Sequence, residues 1–418
     1  MHPADLAEVL DELSFEEAIY IIRLLDSETT SGIIEELDDD TRVKVLEALT
    51  PEEIADEIDE LDTDIAADII LELPDDRKDS VIAAIDDKEH AQDIVDLLRY
   101  DEDTAGGLMG KELVSVNEKW SIKRSVIEMR RQAQELDEVY IVYVVDDDEK
   151  LLGRLSLKSL LTVDTKSKVK DIYIDKIHYV KVGDEADEVA QVMQKYDLVV
   201  IPVVDELGRL VGNINIDDVL DYIKEVADSN YQLASGLTDD VEVDDTVMEL
   251  VKGRLPWLVL GLLGGIMSVY ILKSFDEAVS QFAELFFFAP LIAGMAGNAG
   301  VQSSAIIVQG LANNIVKGSL WKLFFKELKL SLINGLVVAL LVFTFSMIFN
   351  FGLLFSITIG FSLIVVILLA SLIGTFIPIV LDRRGIDPAL ATGPFITTSN
   401  DIFGMFIYLL IAKLILGF

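Results

Sequence analysis

The chain has 418 residues, no cysteine and a formal net charge of −39. The absence of cysteine excludes disulfides and thiolate metal centres, and acidity on this scale repels nucleic acid while attracting multivalent cations. The charge is unevenly placed: residues 1–254 hold 66 acidic and 26 basic side chains, residues 255–418 only seven and eight.

An acidic soluble region therefore precedes a neutral hydrophobic one, and the length allows two to four domains. The first apolar stretch is studded with acids, so no cleavable signal is evident and the acidic half is expected in the cytoplasm. The three histidines, His2, His90 and His178, are scattered. No His-Glu-x-x-His run or phosphate-binding glycine loop is present, which argues against an enzyme.

Residues 5–100 show apolar positions at helical spacing, broken by polar joints such as Asp38-Asp39-Asp40 and Pro74-Asp75-Asp76. Leu13-Ser14-Phe15-Glu16-Glu17 is echoed 36 residues later by Leu49-Thr50-Pro51-Glu52-Glu53. A hydroxyl residue before an acidic first turn marks a helix start. A repeat of helix pairs at this period reads as a small α-solenoid; an irregular helical bundle is the alternative. This N-domain is expected to span 1–105.

A second repeat has an offset of 59 residues: Val144-Val145-Asp146 with Leu151-Leu152-Gly153 aligns onto Val203-Val204-Asp205 with Leu210-Val211-Gly212. Each copy starts with a β-like run and an amphipathic helix, Ile122 to Arg131 or Ala186 to Tyr196. Each ends in a helix-like run, Leu157 to Leu161 or Ile216 to Leu220. Such a tandem resembles a CBS pair, here 106–165 and 166–222. The resemblance implies sensing of adenine nucleotides or ions, with ATP as one candidate ligand. The family's ribose-contacting Ser or Thr is replaced in the second copy by Asn215, in Asn215-Ile216-Asp217.

Residues 214–254 then read as one long, largely helical connector. Asp217, Asp218, Asp221, Glu225 and Asp228 fall at near-helical spacing and repel one another unless neutralised. Hard cations take oxygen ligands, so this face is either a regulatory metal site or ordinary solvated surface.

Five hydrophobic segments follow, at about 255–273, 283–311, 328–350, 353–381 and 389–418, each near the roughly 20 residues needed to span a bilayer. Lys317, Lys322, Lys326 and Lys329, with Arg383 and Arg384, cluster in the connections expected inside. The C-terminus is then outside. Pro290 to Gly300 and Pro388 to Asp401 concentrate proline and glycine in two of the spans. Close helix packing is one reading. The other is a broken helix whose free carbonyls line a hydrated path. Asp401, a carboxylate at membrane depth without a basic neighbour in sequence, favours an ion path.

Pro290 to Gln302 and Asp387 to Asp401 closely resemble signature segments of the MgtE family of magnesium channels. Arg254-Leu255-Pro256-Trp257 and Tyr100 to Met109 are similar too, and the resemblance covers essentially the whole chain. It implies a multidomain membrane protein. An α-helical superhelix forms the N-domain, followed by an α+β CBS pair, a connecting plug helix at 223–252 and an all-α five-helix transmembrane domain at 253–418. It further implies a homodimer in the plasma-membrane bilayer that moves divalent cations and binds no nucleic acid. Asp401 matches the pore aspartate for hydrated Mg²⁺, with Gly294, Gly297, Gly393 and Thr397 around the ion. Some relatives carry Asn where Val301 and Gly393 stand. Regulatory Mg²⁺ would bridge N-domain, CBS pair and plug; Asp218 and Asp221 match best, with Asp217, Glu225, Asp228 and the i, i+4 pair Asp64 and Asp68 as further candidates. Other divalent selectivity, a non-transporting sensor and an anchored CBS-regulated enzyme are the competing readings.

Overall fold

The computed structural model describes the chain apart from residues 1, 12, 135, 137, 138, 239, 240, 242–244, 313–315, 317–319, 392 and 418, and for 11, 39, 40, 278–280 and 391 it describes the backbone alone. Lys317 and Thr392 thus lie outside the described residues. Two units divide the chain, Met1–Lys224 and Glu225–Phe418.

The first unit opens with short helices: α1 (Pro3–Asp11), α2 (Phe15–Ile22), α3 (Ser27–Glu36), α4 (Asp39–Ala48), α5 (Pro51–Ile58), α6 (Thr63–Glu72), α7 (Asp75–Ala84) and α8 (Lys88–Leu97). The repeated start motifs both form capping boxes. Glu17 accepts from the Ser14 N–H at 3.2 Å, and Glu53 from the Thr50 N–H at 2.8 Å. Both boxes satisfy N–H groups that a helix start leaves orphaned. The odd-numbered helices stack in succession, α1 on α3, α3 on α5 and α5 on α7, while α2 packs on α4 and α6 on α8. That succession is solenoid-like, with Ile33, Ile54, Ile58 and Ile70 among its buried residues.

The 59-residue duplication folds twice alike. The first copy is β1 (Val114–Asn117), α9 (Ile122–Gln132), β2 (Val142–Val145), β3 (Leu151–Leu155) and α10 (Leu157–Thr162); the second is β4 (Val180–Lys181), α11 (Ala186–Tyr196), β5 (Val200–Val204), β6 (Leu210–Asn215) and α12 (Ile216–Ser235). In each sheet the first two strands are parallel and the last two antiparallel, with a bulge at the equivalent Val144/Val145 and Val203/Val204. The copies exchange hydrogen bonds reciprocally: Leu151 N–H donates to Gly208 O and Leu210 N–H to Glu149 O, both at 3.0 Å. Equivalent residues thus meet across a pseudo-dyad.

The connector is not one helix, contrary to the sequence expectation. α12 stops at Ser235 because Gly236 takes the left-handed conformation (φ +83°). Gly236 N–H then donates to Leu233 O and Leu237 N–H to Gln232 O, the paired bonds of a Schellman stop. A new capping box at Thr246 starts α13 (Val247–Ser274).

After the short α14 (Asp276–Gln281), α15 (Glu284–Ala312), α16 (Leu320–Ile348), α17 (Leu353–Asp382) and α18 (Gly393–Leu416) complete the second unit. Together with α13, these make five helices long and apolar enough to cross a membrane, with mean hydropathies from 1.4 to 2.9. The central helix, α17, packs on α15, α16 and α18. Tyr408 OH on α18 donates to Leu285 O on α15 at 2.9 Å. Another correction concerns α15, which runs unbroken through Pro290, Gly294, Gly297 and Gly300. Proline removes one intrahelical bond, and the glycines let neighbouring helices approach: a Cβ at Gly300 would run into Asn400, and one at Gly374 into Gly300 O. The expected break is found only before α18, where Pro388–Ala391 forms a 3₁₀ turn.

Loss of one capping box gives a local test. Thr50→Ala should cost about 1 kcal/mol in α5 and speed hydrogen exchange in its first turn about fivefold. The Ser14-capped α2 should exchange as before; equal acceleration in both helices would contradict the local role of the box.

Candidate cation path and acidic cluster

The cation candidate begins at Gly393. This residue opens α18 with φ +49°, and a Cβ there would run into Ala234 O at the end of α12. Thr397 Oγ1 donates to Gly393 O at 2.9 Å, which binds the first turn to itself. Asp401 follows four residues later on the same helical face. Both Thr397 and Asp401 confront Gly297 of α15: a Cβ on Gly297 would stand 3.1 Å from Thr397 Cγ2 and 3.3 Å from Asp401 Oδ1. Glycine is therefore what lets the carboxylate sit between the helices.

Asp401 Oδ1 is buried and has no hydrogen-bond partner. A carboxylate at membrane depth is costly unless solvated or paired. Gly297, Thr397 and Asp401 thus come together. Gly294 does not join them; it is exposed, with nothing near its missing Cβ. Gly294 and Gly297 are helical, so their carbonyls belong to the intrahelical ladder rather than lining a path. The carbonyl of Gly393 is engaged by Thr397. Asn400, 1 % exposed and without partners for either side-chain polar atom, was not signalled by the sequence.

In the first unit, carboxylates from distant segments converge around α6. Asp64 and Glu112 meet across Gly110, where a Cβ would stand 3.1 Å from Asp64 Oδ2 and 2.8 Å from Glu112 Oε2. Glu112 is anchored by the Thr63 N–H at 3.0 Å and Thr63 Oγ1 at 2.9 Å. Asp218, in the first turn of α12, accepts from the Asn215 N–H at 2.9 Å. Beside them lies a cleft of about 230 Å³ lined by Asp62, Glu112, Tyr143, Asn213, Asn215 and Asp218, among others. Tyr143 OH and Asn213 Oδ1 are buried there without partners.

Crowding raises the proton affinities. Burial, then the Asp218 and Glu112 charges, hold Asp64 well above the usual carboxylate range. Burial pushes Asp218 up to about 6, with Asp217, Asp62 and Asp221 adding to it against the Asn215 bond. Surrounding protein, then Glu102 and Glu72, push Asp68 up to about 7, although its surface access lets water screen part of that effect. Asp217, Asp221, Glu225 and Asp228 are exposed along α12. Among the described residues no three acidic or imidazole side chains form a ready-made chelate. Only Asp64, Asp68 and Asp218 of the expected set fall together. Glu112 and Glu102 complete the cluster, and nothing local in the sequence marks either.

Three family models match this chain: divalent cation transporter over residues 289–411, MgtE intracellular N domain over 1–103, and CBS domain over 105–166 and 169–225. A magnesium transporter MgtE of Thermus thermophilus is 35% identical over 327 residues, covering 78% of this chain and 72% of its own. The chain belongs to the MgtE family. Another MgtE magnesium transporter, from Bacillus subtilis, is 32% identical over 317 residues, covering 76% of this chain and 70% of its own. The solved cytosolic domain of the Mg²⁺ channel MgtE in complex with ATP is 34% identical with a TM-score of 0.51, covering 53% of this chain and 90% of that one. The soluble part of a magnesium transporter is 28% identical with a TM-score of 0.50, over 54% and 89%. As an MgtE-family member the chain is a transporter, not an enzyme.

The raised carboxylates set a pH dependence. Their folded proton affinity exceeds the ordinary one, so their contribution to stability is fully present below about pH 4 and is lost as pH rises through about 6 to 7. Asp64→Asn and Asp218→Asn should therefore raise the first unit's thermal midpoint at pH 7.5 in EDTA and leave it nearly unchanged at pH 4. A fall at pH 7.5, measured on the full chain in detergent, would show that the carboxylates stabilise rather than strain the fold.

Proposed function

We propose that this MgtE-family protein carries Mg²⁺ into the cell as a homodimer in the plasma membrane, and that cytosolic Mg²⁺ held by the acidic cluster closes the path. The observation that carries the transport reading is the buried, unpartnered Asp401 Oδ1 beside Thr397 and Gly297. The relatives named magnesium transporters support the choice of ion. The side chains act by orientation: Asp401 attracts the hydrated ion, Thr397 keeps the first turn of α18 closed, and Gly297 leaves room. The membrane potential supplies about 4.6 kcal/mol per divalent ion at 100 mV, twice the unit-charge value. Lys322, Lys326, Lys329, Arg383 and Arg384 support an orientation with those connections and the N-terminal domains inside and the C-terminus outside.

Gating follows from the repulsion. In its ionised form the cluster of Asp64, Asp68, Glu112 and Asp218 resists compaction, and divalent ions relieve that cost, so their binding favours the compact state. Asp217 and Asp221 enlarge the same field, and Glu225 and Asp228 extend it along α12. The end of α12 is a direct lever: a Cβ at Gly236 would stand 2.5 Å from Pro394 Cγ, and Ala234 O lies against Gly393. Movement of α12 therefore reaches the first turn of the helix that bears Asp401. ATP is a second regulatory ligand in this reading, favoured by the ATP complex of the related cytosolic domain. Tyr143 and Asn213 in the cleft offer a base or ribose hydrogen bonds.

Mg²⁺ uptake into proteoliposomes tests the path. Asp401→Asn and Asp401→Ala should each abolish uptake with the protein folded and dimeric, and unchanged flux in either would move the path elsewhere. For the gate, Asp64→Asn combined with Asp218→Asn should raise the internal Mg²⁺ concentration that halves uptake. An unaltered inhibition curve would remove these residues from regulation.

A further inference from the structure

Glu327 has the lowest surface exposure, 9%, of the acidic residues among those described. It lies on α16, and its partners are hydroxyls. Ser303 Oγ of α15 donates to Glu327 Oε1 at 2.7 Å. Ser331 Oγ, one turn further along α16, donates to Glu327 O at 2.8 Å and stands 3.5 Å from Oε1. Both serines are buried as well. A carboxyl group in this setting is costly without partners, so the arrangement holds only while α15 stays where it is.

The placement matters because α15 packs chiefly on α17 and α18, and Ser303 gives it a polar tie to α16. Ser303 lies three residues beyond Gly300 and six beyond Gly297, about 4.5 and 9 Å along the axis at 1.5 Å per residue. Gly300 touches Asn400, and Gly297 faces Asp401 and Thr397. Among the described residues the Asn400 polar atoms and Asp401 Oδ1 make no hydrogen bond at this contact; the α15–α18 bond from Tyr408 OH to Leu285 O lies twelve residues away along α15. α16 is in turn packed on α17, which also holds α18. A tilt of the second half of α15 would therefore change the gap at Asp401.

We propose that Glu327 is a positioning residue for ion passage: by accepting the Ser303 hydrogen bond it fixes α15 so that Gly297 keeps its distance from Asp401. The role rests on Asp401 being the cation's ligand. It needs an oxygen acceptor at Glu327, not a charge.

The full chain in proteoliposomes gives the test, reading Mg²⁺ uptake against Mg²⁺ concentration. Ser303→Ala and Glu327→Leu should each raise the half-saturating concentration about three- to tenfold, the scale of one lost hydrogen bond. Glu327→Gln, which keeps an oxygen acceptor, should stay within about twofold of wild type, less than the loss of a whole bond. Ser303→Ala combined with Glu327→Leu should be no worse than Glu327→Leu alone, because both remove the same contact. Should Glu327→Leu fail to fold, Ser303→Ala carries the test. Three results would overturn the role. One is wild-type half-saturation in Ser303→Ala. Another is a lower maximal rate with unchanged half-saturation, which marks a purely structural tie. The last is Glu327→Gln as impaired as Glu327→Leu, which makes the charge itself the working group. Asp401→Asn, run alongside, separates the two ideas: normal flux there defeats the path reading, while its loss with normal Ser303→Ala defeats only the role of Glu327.

Discussion

Carboxylates crowded by burial and by one another are the constraint on which both halves of this protein depend. In the apolar unit one such group, Asp401, is wedged between helices opposite a glycine. In the acidic unit Asp64, Glu112 and Asp218 are driven together by apolar packing around α6 and the start of α12. Hydrophobic burial supplies the driving force, and like-charge repulsion is what it must overcome. In the reading we propose, a mobile divalent ion is the remedy in each place, since it adds two charges and needs few protein oxygens. Under that proposal the repulsion that strains the acidic unit is also what would make it responsive to the ion.

Secondary structure and topology were legible because they rest on local chemistry. The Ser14 and Thr50 starts, the helix Ala186–Tyr196 and the 59-residue duplication all appear where the sequence puts them. The five apolar helices do as well, although α13 and α16 begin about eight residues earlier than hydropathy suggests. The first turn of α13 is helical by its capping box at Thr246, which a hydropathy window does not weigh. Two local signals were overridden. Gly236 splits the connector, because a left-handed residue with two closing hydrogen bonds outweighs helical periodicity. Pro290 and three glycines fail to break α15, because contacts from α17 and α18 compensate for their poor helix propensity.

The site was legible only where one helix carries it. Thr397 and Asp401 share a face by spacing alone. The partners that give them meaning are tertiary: Gly297 from α15, and behind it Ser303 and Glu327, joined from two helices. Glu112 reaches Asp64 across 48 residues of sequence, and the periodicity of α12 could not say that Asp218 turns inward while Asp221 stays exposed. Spacing reveals which residues share a surface, whereas convergence of carboxylates depends on the docking of separate elements.

Proton release on Mg²⁺ binding tests whether the crowded carboxylates are the seat of divalent-ion sensing. Mg²⁺ should be titrated into the weakly buffered full-length protein at pH 6.5 and again at pH 8.5. At pH 6.5 Asp68 and Asp218, pushed up to about 7 and about 6, retain protons in part, and an ion that binds the ionised form must expel them. Mg²⁺ should release protons measurably at pH 6.5, release fewer at pH 8.5 where Asp68 and Asp218 are already ionised, and release fewer at pH 6.5 in Asp218→Asn. Mg²⁺ binding with no proton release at pH 6.5, or equal release in Asp218→Asn, would contradict that sensing role.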